Sequence, residues 1–241
     1  MKGKVDLLLM GSSHFSPHHF FEKAFLESCS DIEIGDIVIK ASPGRFLDPP
    51  HVRLMTEYVE KLDPIQSLII IIMMSCNAAR RYHHAHNMEQ THLRVIKSME
   101  KHANVRIILC GSIPEVKSHP AKYDRVDSIL YDLDQNFQII ANAHPTNTMF
   151  FDTASILRYR SVVGTNFDTK QVLNYENMQG VKTFLYQDKI HLNRFGANVL
   201  ATSIHFFLKT VAIPFWFQNQ RSYHVTATVQ TSLPSPLNVS D

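Results

Sequence analysis

Residues 5–15 read VDLLLMGSSHF. A short apolar run (Val5, Leu7, Leu8, Leu9, Met10) breaks at Gly11, and the next stretch, SPHHFFEKAFLES over residues 16–28, repeats apolar residues at helical spacing. That pattern is a strand, a tight turn and a helix. A serine in such a turn sits at the carboxyl end of a parallel strand beside free helix N–H groups. An attacking hydroxyl is exposed there, and a developing oxyanion finds donors. The same Gly-Ser-Ser also suits a plain turn that caps a helix, and taken alone the stretch favours this simpler role.

The pattern repeats down the chain. Residues 34–40, rich in Ile and Val, predict a second strand that ends in Ala41-Ser-Pro-Gly44. Asp48-Pro-Pro opens a helix over about 51–62, which Asp63-Pro64 stops. Residues 67–75, SLIIIIMMS, form a continuous apolar run, as expected of a central strand buried on both faces of a parallel sheet, and lead to Cys76-Asn77. A helix over about 84–102 feeds a strand at 105–110 that ends in Gly111-Ser-Ile-Pro114. Ile129, Leu130, Leu133, Phe137 and Ile140 mark 121–143 as helical, and 149–152 reads as a short fifth strand. Residues 155–187 are the least regular and predict loops around one end of the sheet. Helix returns over 193–209, with Phe195, Val199, Leu200, Ile204, Phe207 and Leu208 as its apolar stripe. Strands alternating with helices imply an α/β fold, a three-layer αβα sandwich around a flavodoxin-like parallel sheet of about five strands. From about residue 213 the character changes to aromatic Pro214-Phe-Trp-Phe and then to a polar stretch. The expected organisation is therefore one domain over 1–212 and an extension over 213–241, an aromatic clip followed by a loose tail.

At 241 residues the chain has room for one generous α/β core. Its net charge of +2, with 24 basic residues interspersed among 22 acidic ones, does not point to nucleic acid. Three cysteines, two of them at the ends of apolar runs, argue against a disulfide framework and for a reducing compartment. No window of about 18 apolar residues reads as a membrane span. Asp6 interrupts an apolar run already too short for a signal peptide. A cytoplasmic location is the expectation, although a first strand so close to Met1 also suits a domain cut from something longer.

The chemistry is concentrated near the other end. Asp188-Lys-Ile-His191-Leu-Asn-Arg-Phe-Gly196 immediately precedes the last helix. An acid three residues before a histidine can accept one imidazole N–H, fixing the tautomer and leaving the second nitrogen to face a nucleophile. A helix-capping histidine and a helix-start acid would account for the two residues separately. Neither explains why the pair lies where the last sheet-covering helix begins.

In these blocks the sequence resembles the SGNH/GDSL hydrolase family. That family has a serine in a Gly-Asp-Ser turn after the first strand, a glycine after the second, an asparagine in Gly-x-Asn-Asp after the third, and Asp-x-x-His before the last helix. Here Gly11-Ser12-Ser13 resembles the first block, with Ser13 at the nucleophile position. Gly44 stands at the second, Asn77 within Ser75-Cys76-Asn77-Ala78 at the third, and Asp188 with His191 at the last. The last block is the most specific. The first departs by Ser12 for the aspartate, and the third by Ser75 and Ala78. The resemblance implies a serine esterase in which Ser13 attacks a small acyl ester (acetyl or short to medium chain, on a carbohydrate or lipid). His191 would be the base, Asp188 its orienting acid, and the backbone N–H groups of Ser13 and Gly44 with the Asn77 amide the oxyanion hole. It implies no cofactor and no metal.

Ser12 competes with Ser13 for the nucleophile role, and the family register favours Ser13. Ser12, His14 and Arg80 are candidate substrate contacts, Arg80 for an anionic group. His83, His84 and His86 invite a metal reading, but no cysteine or carboxylate spacing supports one. Ser112 resembles a second turn-serine without an acid and histidine of its own. The altered first and third blocks motivate a rival reading, a catalytically silent module of the same fold used for binding. A flavodoxin-like nucleotide binder is disfavoured, because no glycine-rich phosphate loop follows any strand. Hydrolysis of p-nitrophenyl acetate separates an esterase from either.

Overall fold

A computed structural model describes residues 4–15, 20–31, 34–44, 46–74, 77, 79, 85–113, 125–157, 185–188 and 191–218. Five strands form one parallel sheet: β1 (Val5–Gly11), β2 (Ile34–Ala41), β3 (Ser67–Met73), β4 (Val105–Cys110) and β5 (Thr148–Phe151). Their order is β2-β1-β3-β4-β5, the flavodoxin-like arrangement, whose strand order reverses between β1 and β3. β1, β3 and β4 are buried along almost their whole length because helices cover both faces, which is why their sequences run apolar without alternation. β2 is an edge strand with Asp36 and Lys40 exposed.

Helices connect successive strands: α1 (Phe21–Ser28), α2 (Pro49–Glu60), α3 (Ala85–Met99) and α4 (Arg125–Ala143), with α5 (Arg194–Phe207) following the fifth strand. α1 packs against α5, while α3 packs against α2 and α4, so the helices fall into two groups. Asp48 caps α2 as its sequence predicts, with Pro49 in the first turn. Within the sheet, buried Asp6 holds the irregular start of β2. Its Oδ1 accepts the Asp36 N–H at 2.8 Å where the β1–β2 register shifts, and its other oxygen accepts from the Gln66 amide. Burial raises its carboxyl above the usual range.

Two expectations need correction at the last helix. It does not end near residue 209 but continues through two π-helical turns, Leu208–Ala212 and Pro214–Gln218. The Ile213 N–H bonds the Leu208 carbonyl five residues back. Pro214 has no N–H to give, and the wider turn relieves the clash its ring would make in α-geometry. Trp216 is fully buried, and the Arg106 guanidinium lies 5.7 Å from the Phe217 ring. Secondly, an 18-residue window within the 24 residues Arg194–Phe217 has mean hydropathy 1.4, so by length and composition alone this helix is long and apolar enough to cross a membrane, although no single run of apolar letters marks it. Its apolar character here includes a packed stripe, Ala197, Leu200, Ala201, Ile204, Leu208 and Ala212, in the core. The loop region expected over 155–187 and the tail after Gln218 lie largely outside the described residues.

Candidate active site

β1 ends at Gly11, and Ser13–Phe15 form one 3-10 turn closed by the Phe15 N–H on the Ser12 carbonyl at 3.2 Å. The turn is anchored from beneath. Phe15 is fully buried and stacks on Phe21 at 4.3 Å, which in turn stacks on Phe25 at 5.4 Å. A Cβ on Gly11 would fall 2.5 Å from the Phe15 ring, so the strand needs glycine there for that ring to fold back under its end. Ser13 is thereby held at the rim with 7% of its surface exposed.

The acid and the histidine come from a small antiparallel hairpin ahead of α5. The Gln187 N–H bonds the His191 carbonyl at 2.9 Å, the Asn193 N–H bonds the Leu185 carbonyl at 2.8 Å, and Tyr186 bridges Leu192 between them. At its tip Asp188 Oδ1 accepts the His191 backbone N–H at 2.7 Å, and Oδ2 lies 2.8 Å from His191 Nδ1. Asn193 then caps α5, accepting from the N–H groups of Phe195 and Gly196 at 2.9 and 3.0 Å. α5 sits so close to the hairpin that a Cβ on Gly196 would meet the Leu185 carbonyl oxygen at 2.1 Å.

The two ends of the chain meet here. His191 Nε2 lies 3.1 Å from Ser13 Oγ, across 178 residues of sequence. With Nδ1 donating to Asp188, Nε2 carries the lone pair and accepts the Ser13 hydroxyl. Ser12 is 3% exposed and its carbonyl closes the turn, so of the two serines it is Ser13 that the imidazole engages. The His14 ring is 5% exposed, with its centroid 5.7 Å from that of His191 and its plane tilted by 38°.

Gly44 lies just past β2 at φ +71°, the left-handed region, where glycine carries no Cβ penalty. The Ser42 N–H reaches the Gly11 carbonyl at 3.4 Å, tying that strand end to the end of β1. Asn77 is half-buried beyond the end of β3. Gly44, Ser13 and Asn77 thus follow three strands that are neighbours in the sheet, and Ser13 and Asn77 flank the point where the strand order reverses. Arg80, His83 and His84 lie outside the described residues, as does the side chain of His86. Among the described residues no three His, Cys, Asp or Glu side chains converge as a metal site would require.

Sequence reading missed a second Asp-x-x-His unit. Asp48 Oδ1 accepts the His51 backbone N–H at 3.2 Å and lies 2.5 Å from His51 Nδ1, repeating the local geometry of Asp188 and His191. The signal was in the letters, Asp48-Pro-Pro-His51, but was absorbed into the helix start. Ser112, the other turn-serine, is buried and has an acid of its own. Its hydroxyl donates to Asp134 Oδ2 at 2.7 Å and its N–H to Oδ1 at 2.8 Å, clamping the β4 loop to α4. Beside it, burial pushes the Cys110 thiol up, away from reactivity.

No family model matches this chain, and no curated protein sequence matches it. Solved structures do. A member of the lipolytic protein G-D-S-L family from Veillonella parvula is similar with a TM-score of 0.58 at 13% identity, over 86% of this chain and 98% of that one. The aryl esterase of M. smegmatis is similar with a TM-score of 0.59 at 12% identity, over 86% of this chain and 99% of its own. An acetyl xylan esterase, AlAXEase, is similar with a TM-score of 0.59 at 14% identity, over 83% and 97%. The resemblance that the sequence blocks carried is thus matched in three dimensions: the chain has the fold of the GDSL/SGNH esterases and lipases.

Proposed function

We propose that this protein is a carboxylic ester hydrolase with Ser13 as nucleophile, His191 as general base and Asp188 as the acid that orients the base. The observation that carries this reading is the unbroken line from Ser13 Oγ to His191 Nε2 at 3.1 Å and from His191 Nδ1 to Asp188 at 2.8 Å. As Oγ attacks the ester carbonyl carbon, Nε2 takes its proton, and Asp188 stabilises the resulting imidazolium. The carbonyl oxygen becomes an oxyanion. The Ser13 and Gly44 N–H groups and the Asn77 amide are the donors proposed to receive it. Collapse breaks the bond to the alcohol oxygen, which takes the proton from His191 and leaves an acyl-Ser13. Water, deprotonated by the same imidazole, then releases the acid and restores the serine.

The substrate class proposed is a small acyl ester, acetyl or short to medium chain. The names of two similar structures, an aryl esterase and an acetyl xylan esterase, support an ester and do not choose its alcohol. Hydrolysis of p-nitrophenyl acetate should fall to background in Ser13→Ala, and a fluorophosphonate probe should modify Ser13. Folded protein that neither turns over the ester nor takes the probe would overturn the reading in favour of a silent binding module. Label on Ser12 would overturn the choice of nucleophile.

A further inference from the structure

The Asp188 tether on His191 Nδ1 is wet. The Asp188 side chain is 48% exposed and that of His191 27%. Water competes for both partners, so the Asp188 bond selects the tautomer and general direction of the imidazole more firmly than it fixes the ring's exact position. A hydrogen bond at Nδ1 also fixes one atom of the ring without fixing its plane. The imidazole can swing about that bond and carry Nε2 away from Ser13. A contact on the ring itself adds a restraint that helps keep Nε2 at 3.1 Å from the hydroxyl.

The structure supplies such a contact from the nucleophile's own turn. His14 follows Ser13 within the 3-10 turn Ser13–Phe15, and its ring lies 5.7 Å from that of His191 at 38°. This separation is within the range at which planar rings pack favourably. The ring has little room to move away, because His14 is only 5% exposed and the next residue in the turn, Phe15, is locked beneath β1. That burial also bears on the role expected from sequence: a side chain so enclosed offers little surface to a substrate.

We infer that His14 is a positioning residue for His191, its ring backing the imidazole so that Nε2 stays aimed at Ser13. The inference rests on the reading of His191 as the base. Because that base serves both acylation and deacylation, a mispositioned ring slows the two steps together. Turnover then falls while KM holds. Loss of a substrate contact would instead raise KM.

The test uses the full chain and p-nitrophenyl acetate, with the rate of Ser13 inactivation by a fluorophosphonate as a second readout. His14→Ala should lower kcat by ~10- to 100-fold, the scale of a misplacement of about 1 Å. KM should stay within about twofold, and probe inactivation should slow by the same factor as kcat. His14→Phe restores a flat ring of similar bulk and should recover most of the rate. If His14→Ala does not fold, His14→Leu, which fills the space without a ring plane, takes its place with the same expected loss. A raised KM with unchanged kcat would overturn the inference in favour of a substrate contact. Wild-type kcat in His14→Ala would overturn it in favour of plain packing, and equal losses in the Ala and Phe variants would show that the ring nitrogens matter and not the ring's position. Hydrolysis that survives Ser13→Ala sinks the underlying reading together with this one. Hydrolysis lost in Ser13→Ala but indifferent to His14 sinks the positioning role alone.

Discussion

Asp188 and Asp48 each hold a histidine three residues on, through the backbone N–H and Nδ1. The turn is a local object that needs only two intervening residues and a carboxylate, which is why Asp-x-x-His could be read from letters. What separates the two is the far nitrogen: His191 Nε2 meets Ser13 Oγ, and that meeting is tertiary. His51→Ala should therefore leave p-nitrophenyl acetate turnover intact while thermal or chemical unfolding registers a loss of about 1 kcal/mol from the weakened start of α2. Asn77→Ala should do the reverse. Loss of one oxyanion donor lowers kcat by about 10² to 10³, roughly 3 to 4 kcal/mol, with the folded circular dichroism unchanged. Wild-type turnover in that variant would remove Asn77 from the proposed hole. The inward placement of His14 was not legible, because a turn residue's direction is set by what packs under the turn, here the Phe15, Phe21 and Phe25 stack.

At the scale of elements, Gly196 is where α5 and the hairpin carrying Asp188 and His191 touch. Gly196→Ala puts a methyl carbon where the Leu185 carbonyl oxygen stands, so the helix start or the hairpin must shift. Equilibrium unfolding should show a loss of about 1 to 3 kcal/mol, and ester turnover should fall with it because the same displacement moves the imidazole. Unchanged stability would mean that the hairpin is looser than its hydrogen bonds imply. The strands were legible nearly to their ends, since β1, β3 and β4 are covered on both faces and a continuous apolar run has no competing explanation. The end of α5 was not. Pro214 reads as a stop, and only the π-turns that begin at Leu208 let the helix pass it and bury Trp216.

Over the whole molecule, the sheet order could be inferred because alternating strands and helices leave few parallel arrangements, and the rim residues followed from it. Titration inside the helical layer could not. His92 on α3 is buried against Phe137, its rings 4.4 Å apart, and donates Nδ1–H to the Met88 carbonyl at 2.7 Å. Burial lowers its imidazole to about 4 from an ordinary 6.5. The unfolded chain takes up a proton below 6.5 that the folded chain refuses until about 4, so this stabilisation is complete above 6.5 and is lost as pH falls through that window. The loss reaches on the order of 3 kcal/mol. In His92→Leu the difference in unfolding free energy between neutral and acid pH should shrink by about that amount, and an undiminished difference would assign the acid sensitivity elsewhere. The 178-residue separation of Ser13 and His191 has a consequence for synthesis and folding. No nascent or truncated chain that stops before His191 holds both groups, and loop closure over such a distance comes late. Probe reactivity thus works as a clock for completed assembly: during refolding it should lag helix content, and it should never run ahead of it.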